Sequence, residues 1–344
     1  MSRPAADAGR IMELATAYWG SRCLLTANRV GVFRTLAAGS MSADAVAGAL
    51  GLAPRPTRLL LKACVGLGLL EEDDRGFRNH ATSQAYLVPG SEAFLGNAIR
   101  YAADMWDGWS RLEGALADGV PPIASETYTG RDEERTRNFV YGMHGRALGV
   151  GRALLSLVDL GGRRRLLDVG GGPGTYSALF TGANPELRAT VMDLPEVVAL
   201  AGEVLASMQA AGRVETLAGD YRTTPFPAGN DVVLMSGIFH RETESTCREL
   251  IRRAREALVP GGLLIAADVF TERGGATPAF ASLFGLNMML SAPDGGTHAD
   301  VDVAAWMEEA GFESIERRPF PPPMPHRVVL GTRRVSSAGA RRGA

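Results

Sequence analysis

Lysine is nearly missing from this chain. Lys62 stands alone in an arginine-dominated basic set, and 36 Lys and Arg against 38 Asp and Glu leave a formal charge of -2. That balance excludes a general nucleic-acid binder, which carries a marked basic excess. Only three cysteines occur, Cys23, Cys64 and Cys247, far apart and without CxxC spacing. Neither a disulfide framework nor a cysteine-rich metal site is indicated. No stretch reaches the ~18 apolar residues of a membrane span, and no basic segment leads into an apolar run and cleavage site. These absences predict a cytoplasmic protein with neither membrane nor nucleic acid as partner. Aromatics are sparse at 7%, yet hydrophobic residues make up 46% of 344, enough for two packed domains.

From Ala5 to about Val88 apolar residues recur at helical spacing, as in Ile11, Leu14, Ala15, Tyr18 and Trp19. Ser42 is placed to cap a short helix, and residues 58–70 read as a second helix entered through Pro54 and Pro56. Residues 71–78 then read as the turn of a β-hairpin, so the order resembles a winged helix. A ligand-sensing DNA regulator would use that shape. However, its second helix offers only Arg58 and Lys62, and Glu71, Glu72, Asp73 and Asp74 would oppose phosphate. A dimerisation platform is the better reading. Trp106, Trp109, Tyr128, Phe139, Tyr141, Met143 and His144 fall on predicted helices of the middle segment, as core or as pocket lining.

After Gly162 the pattern turns to strands alternating with helices, the mark of a doubly wound, parallel α/β sheet. Seven strands are predicted, at 165–169, 189–192, 214–218, 231–236, 263–268, 314–319 and 326–331. The expected domains are a helical, winged-helix-like dimerisation region at 1–95, lid helices at 96–160, a Rossmann-like domain at 161–334 and a disordered tail at 335–344.

Leu166-Leu-Asp-Val-Gly-Gly-Gly-Pro-Gly-Thr joins the first of these strands to a helix. Gly170, Gly172 and Gly174 let backbone approach a ligand where side chains would collide. Dinucleotide-binding proteins use a similar loop. Asp168, two residues before Gly170, favours a cofactor bearing an ammonium group over one bearing a pyrophosphate. Asp193 stands 19 residues after Gly174, where an acid accepts ribose hydroxyls. Gly219-Asp220-Tyr221 follows the next strand and suits adenine, the acid accepting its amino group and the ring stacking on it.

Asp168-Val-Gly-Gly-Gly-Pro-Gly, Met192-Asp-Leu-Pro, Gly219-Asp-Tyr and Leu258-Val-Pro-Gly-Gly-Leu-Leu-Ile resemble the successive motifs of class I S-adenosylmethionine (SAM) methyltransferases. More narrowly, the chain resembles the small-molecule O-methyltransferases that include plant caffeic acid enzymes and bacterial antibiotic-tailoring enzymes. Ala27-Asn-Arg-Val-Gly-Val-Phe and the winged-helix-like segment match that family's dimerisation region. The resemblance implies a homodimer, SAM as cofactor at the carboxyl ends of the strands, and an aromatic or polyketide-like hydroxyl as acceptor. It adds Leu194, Ser236 and Gly237 to the cofactor contacts, and places Trp106, Met143, His144, Phe284, Asn287, Met288, Thr297 and His298 around the acceptor.

A phenol with a pKa of about 10 is protonated at neutral pH, so methylating it calls for a base, and a histidine suits. His240, just after the strand 231–236, occupies the family's base position, and Asp268 matches an acid that orients the ring. The family follows its base with Asp and Trp, whereas this chain has Arg241 and Glu242. Thr297 replaces a second family acid, and His298 an arginine. The departures leave room for carbon or nitrogen methylation, or for a hydroxylase that uses SAM structurally. A metal held by His144, His240 and His298 has no spacing signature to support it, and none is expected.

Overall fold

The computed structural model describes residues 7–91, 93–124 and 132–335, and the chain divides into two units, Met1–Asp104 and Met105–Ala344. Tyr128 and the tail beyond Val335 lie outside the described residues.

The first unit opens with helices Ala8–Thr16 and Tyr18–Val30. The predicted apolar stripe is there but uncovered within the chain, with Ile11, Leu14, Tyr18 and Trp19 between 54% and 68% exposed. An apolar helix face left this open marks an interaction surface. Ser42 caps helix Ala43–Leu50 by accepting the Ala45 N–H at 3.2 Å. The next helix runs Pro54–Gly66, starting four residues earlier than predicted, because a proline without an N–H is at home in a first turn. The hairpin of β1 (Leu70–Asp73) and β2 (Gly76–Asn79) follows. Gly76 has φ +125°, and a Cβ there would collide with the Met41 carbonyl. Phe33, Leu36, Val46, Leu61, Leu70 and Phe77 form the core. Arg58 and Lys62 pair with Asp44 and Glu72 of their own unit.

The second unit carries helices Trp106–Ser110, Leu112–Asp118 and Glu133–Leu157 before its sheet. The strands are β3 (Arg165–Val169), β4 (Arg188–Asp193), β5 (Val214–Ala218), β6 (Asn230–Ser236), β7 (Leu258–Asp268), β8 (Phe312–Pro319) and β9 (Arg327–Arg333). Their order is β5-β4-β3-β6-β7-β9-β8. Both faces of the central strands β3, β6 and β7 are buried, as strands this apolar require, while the edge strands β5 and β8 are largely exposed. Leu167, Val169, Val233, Met235 and Leu264 pack toward helices Glu244–Ala257 and Asp300–Glu309. Leu166, Val232, Leu234 and Ile265 pack toward helices Glu133–Leu157 and Thr175–Ala183.

The sheet is not wholly parallel: β9 runs antiparallel to both β7 and β8. Residues 320–326 are too few for the crossover that a parallel return needs. The chain winds outward from β3 through β5, then returns to lay β6 beside β3. That reversal opens a crevice at the carboxyl ends of β3 and β6, where doubly wound sheets bind ligands.

Candidate active site

The loop after β3 is tied down by the neighbouring strand end. Gly170 N–H donates to the Met192 carbonyl at 2.8 Å, and Gly172 N–H to Asp193 Oδ2 at 2.7 Å. Asp193 Oδ1 accepts the Leu194 N–H at 2.8 Å, where helix Pro195–Ser207 begins. Each carboxylate oxygen thus keeps a lone pair for a further donor. Burial raises the pKa of Asp193, against these N–H donors and the nearby Arg241 charge, which favour the ion. Gly170 has φ +65°, and a Cβ on it would stand 2.6 Å from Ile238, so a side chain is excluded. A Cβ on Gly172 would meet nothing within 4 Å: the loop presents bare backbone to open space.

Asp168 lies fully buried beneath this loop. Its Oδ2 accepts from Ser177 Oγ at 2.7 Å, and its Oδ1 has no partner among the described residues. Burial pushes its pKa up to about 7. At the end of β5, Gly219 N–H donates to the Asp193 carbonyl at 2.8 Å and Asp220 Oδ1 accepts the Arg222 N–H at 2.8 Å. The Tyr221 ring packs beside Gly170, and its hydroxyl donates to Glu242 Oε1 at 2.6 Å. Glu242, buried, also takes Arg222 at 2.8 Å. It is a site residue that sequence reading passes over, since only the fold brings β5's end to the turn that follows β6.

His240 sits on the 3₁₀ turn Phe239–Arg241 after β6. Its Nδ1 is 2.7 Å from Asp268 Oδ1 at the end of β7, and its backbone N–H reaches Oδ2 at 3.3 Å. Val269 N–H adds a 2.7 Å bond to Oδ1. Asp268 is only 3% exposed, and its burial works against ionisation, yet His240 and these donors hold its pKa below the usual carboxylate value. With Nδ1–H given to the carboxylate, the His240 lone pair is on Nε2, which has no protein partner among the described residues. Phe284 presents its ring edge-to-face to the imidazole at 4.9 Å. Gly237, with φ +74°, adjoins His240 Cε1, and Ser236 ends β6 beside it.

The remaining predicted residues take distinct places. His144 Nδ1 lies 2.8 Å from Thr175 Oγ1, the first residue of the helix after the loop, and burial lowers its pKa. Met143 and Trp106 are half-buried on their helices. Asn287 is half-buried, and its Oδ1 accepts the Trp109 indole N–H at 2.8 Å. Met288 is buried, and Thr297 packs against Gly285 of helix Ala279–Met289.

His298, expected around the acceptor, is bound to backbone instead. Its Nε2 donates to the carbonyls of Phe239 and Glu242 at 3.1 and 2.9 Å, and its ring packs against Trp306 at 5.2 Å. It braces the turn that carries His240. Among the described residues no three His, Cys, Asp or Glu side chains converge as a metal site needs.

The chemistry of this donor set fits SAM. Bare backbone at Gly172, an acid with spare lone pairs at Asp193 and an unpartnered buried carboxylate oxygen at Asp168 suit an adenosyl group joined to a cationic amino acid. An O-methyltransferase domain model matches residues 115–313, and an O-methyltransferase dimerisation domain model matches residues 12–89. The chain belongs to the O-methyltransferase family. The methyltransferase is 34% identical over 330 residues, 94% of each chain, to a 3-hydroxy-5-methyl-1-naphthoate 3-O-methyltransferase of Streptomyces sahachiroi. It is 31% identical over 312 residues, 89% of this chain and 92% of the other, to the tetracenomycin polyketide synthesis 8-O-methyl transferase TcmO of Streptomyces glaucescens. Human N-acetylserotonin methyltransferase, solved in complex with SAM, shares the fold with a TM-score of 0.87 at 24% identity, over 97% of this chain and 100% of that one. The protein is thus a SAM-dependent methyltransferase with a dimerisation domain. No helix among the described residues is long and apolar enough to cross a membrane.

Proposed function

We propose that this methyltransferase works in the cytoplasm on a hydroxyl of an aromatic, polyketide-like metabolite, with His240 as the base. The observation that carries this reading is the 2.7 Å pairing of His240 Nδ1 with buried Asp268, which leaves Nε2 without a protein partner among the described residues. The naphthoate and tetracenomycin enzymes supply the acceptor class. The backbone of Gly170, Gly172 and Gly174 receives the cofactor, with Asp168 supplying negative charge beneath. Asp193 and Leu194 take the ribose. Gly219, Asp220 and Tyr221 take the adenine, and Ser236 and Gly237 border the amino-acid end.

Bound SAM supplies a methyl group made electrophilic by its sulfonium. His240 Nε2 removes the acceptor's hydroxyl proton, and Asp268 stabilises the imidazolium that results. Phe284 and helix Ala279–Met289 offer an apolar wall that aligns the acceptor ring, joined by Trp106, Met143, His144, Asn287, Met288 and Thr297. Residues 1–95 dimerise, 96–160 cover the acceptor and 161–334 bind the cofactor. The homodimer is supported by the dimerisation model and by the uncovered faces of Ile11, Leu14, Tyr18 and Trp19.

His240→Ala tests the base. We expect methyl transfer to fall by about 10²- to 10⁴-fold with SAM affinity unchanged. A variant as active as the parent would end the proton-abstraction role. Trp19→Glu should yield monomers by light scattering, and an unchanged mass would remove that face from the interface.

A further inference from the structure

The turn that carries His240 is too short to hold itself. It spans three residues, with Arg241 N–H donating to the Ile238 carbonyl at 3.1 Å and Glu242 N–H to that of Phe239 at 3.2 Å. Its remaining support comes from segment 295–300, which follows helix Ala279–Met289. Gly296 N–H donates to the His240 carbonyl at 2.9 Å. His298 Nε2 stands 3.1 Å from the Phe239 carbonyl and 2.9 Å from that of Glu242. Both partners can only accept, so Nε2 carries a proton and shares it between them. The Cys247 thiol lies 3.8 Å from the same carbonyls and is a weak donor at that range.

The same segment is fastened to the strand that supplies the acid. The His298 carbonyl accepts the Thr271 N–H at 2.9 Å, and Asp300 N–H donates to the Thr271 carbonyl at 3.1 Å, just past Asp268 at the end of β7. Asp300, 1% exposed, takes Arg317 at 3.1 Å and Arg327 at 2.8 Å, and Arg327 is the register partner of Asp268. His298 therefore joins the two halves of the pair: its ring holds the base's turn, and its main chain holds the exit of the acid's strand. Without that N–H, two buried carbonyls lose their main side-chain donor, and the turn shifts to find another.

We propose that His298 is a positioning residue for methyl transfer, fixing the turn of His240 against the strand of Asp268 so that the ring sits where it can take the acceptor's proton. This inference rests on the reading of His240 as base. The donor is needed, and an acceptor contact at His298 is not.

The test pairs single-turnover methyl transfer with proton NMR of the full-length protein saturated with S-adenosylhomocysteine. His298→Leu should slow transfer to a phenol by roughly 10- to 100-fold, and transfer to an already ionised nitrophenol by less than about three-fold. Affinity for S-adenosylhomocysteine should stay in place. The proton on His240 Nδ1, identified by its absence from His240→Ala, should move or broaden in the leucine variant. His298→Gln sets an amide N–H near the place of Nε2 and should restore both rate and resonance. His298→Asn, one carbon shorter, should fail as leucine does without bringing an apolar side chain into the segment. An unmoved resonance, or an equal loss with both acceptors, would overturn the proposal. So would a parental phenol rate in His298→Leu while His240→Ala is impaired. A moved resonance with His240→Ala as active as the parent would instead end the base reading and uphold the placement of the turn by His298.

Discussion

Replacing Asp268 by Asn isolates the contribution of the carboxylate to His240. In the parent, Oδ1 accepts from His240 Nδ1 and Val269 N, both at 2.7 Å, and Oδ2 accepts the His240 backbone N–H at 3.3 Å. Asparagine is nearly isosteric but has one acceptor oxygen, so in either orientation its NH₂ faces at least one of these N–H groups. The variant loses the charge that stabilises the imidazolium and a charge-assisted hydrogen bond worth about 1.5–3 kcal/mol. At about 1.4 kcal/mol per decade, the transfer rate should fall roughly 10- to 100-fold. The assay is single-turnover methyl transfer at saturating SAM, run with a phenol and with a nitrophenol already ionised at the working pH. The phenol reaction should slow by the full factor, and the ionised acceptor should lose little. A loss below about three-fold, or an equal loss with both acceptors, would refute the assignment of Asp268 as partner of a proton-accepting His240.

Gly172→Ala puts a methyl into the open cradle at φ +54°, where an L-residue is strained by about 1–2 kcal/mol. Titration should show SAM affinity reduced at least ten-fold, and normal affinity in a merely less stable variant would contradict the cradle. Asp168, raised to about 7 in the fold, binds its proton more tightly there than in the unfolded chain, so its stability contribution falls as pH rises from about 4 to 7. Cofactor-free protein should therefore melt a few degrees higher at pH 5 than at pH 8 through this group. Asp168→Asn should remove that part of the slope, and an unchanged slope would reject it. Glu242→Gln leaves Arg222 and Tyr221 without their anchor charge, which should cost about 1–3 kcal/mol and weaken adenosine binding. Parental stability and affinity would show that the pairing is incidental.

Much of the fold was legible because its signals are local. The glycine loop, the acid after β4 and the strand-end histidine each follow from short stretches whose backbone or chemical demands are specific, and the structure brings all three to one crevice. The direction of β9 was not legible, since strand alternation is the same in either direction and only the short link from β8 decides it. The family resemblance set His298 around the acceptor, and no local signal shows that its ring nitrogen serves two carbonyls of the turn that carries His240. Asn287 and Trp109 are 178 residues apart, and no periodicity links them. Glu242 carried no local signal either: its partners Tyr221 and Arg222 belong to another strand end, and their pairing exists only once β5 and β6 are in place.

The most direct test of the whole account is to supply SAM with an isotopically labelled methyl group and a hydroxynaphthoate, and to locate the label in the product by NMR. The account predicts an aryl methyl ether, formed by the parent and nearly absent with His240→Ala. Label on carbon or nitrogen, or an ether formed equally fast without His240, would contradict it.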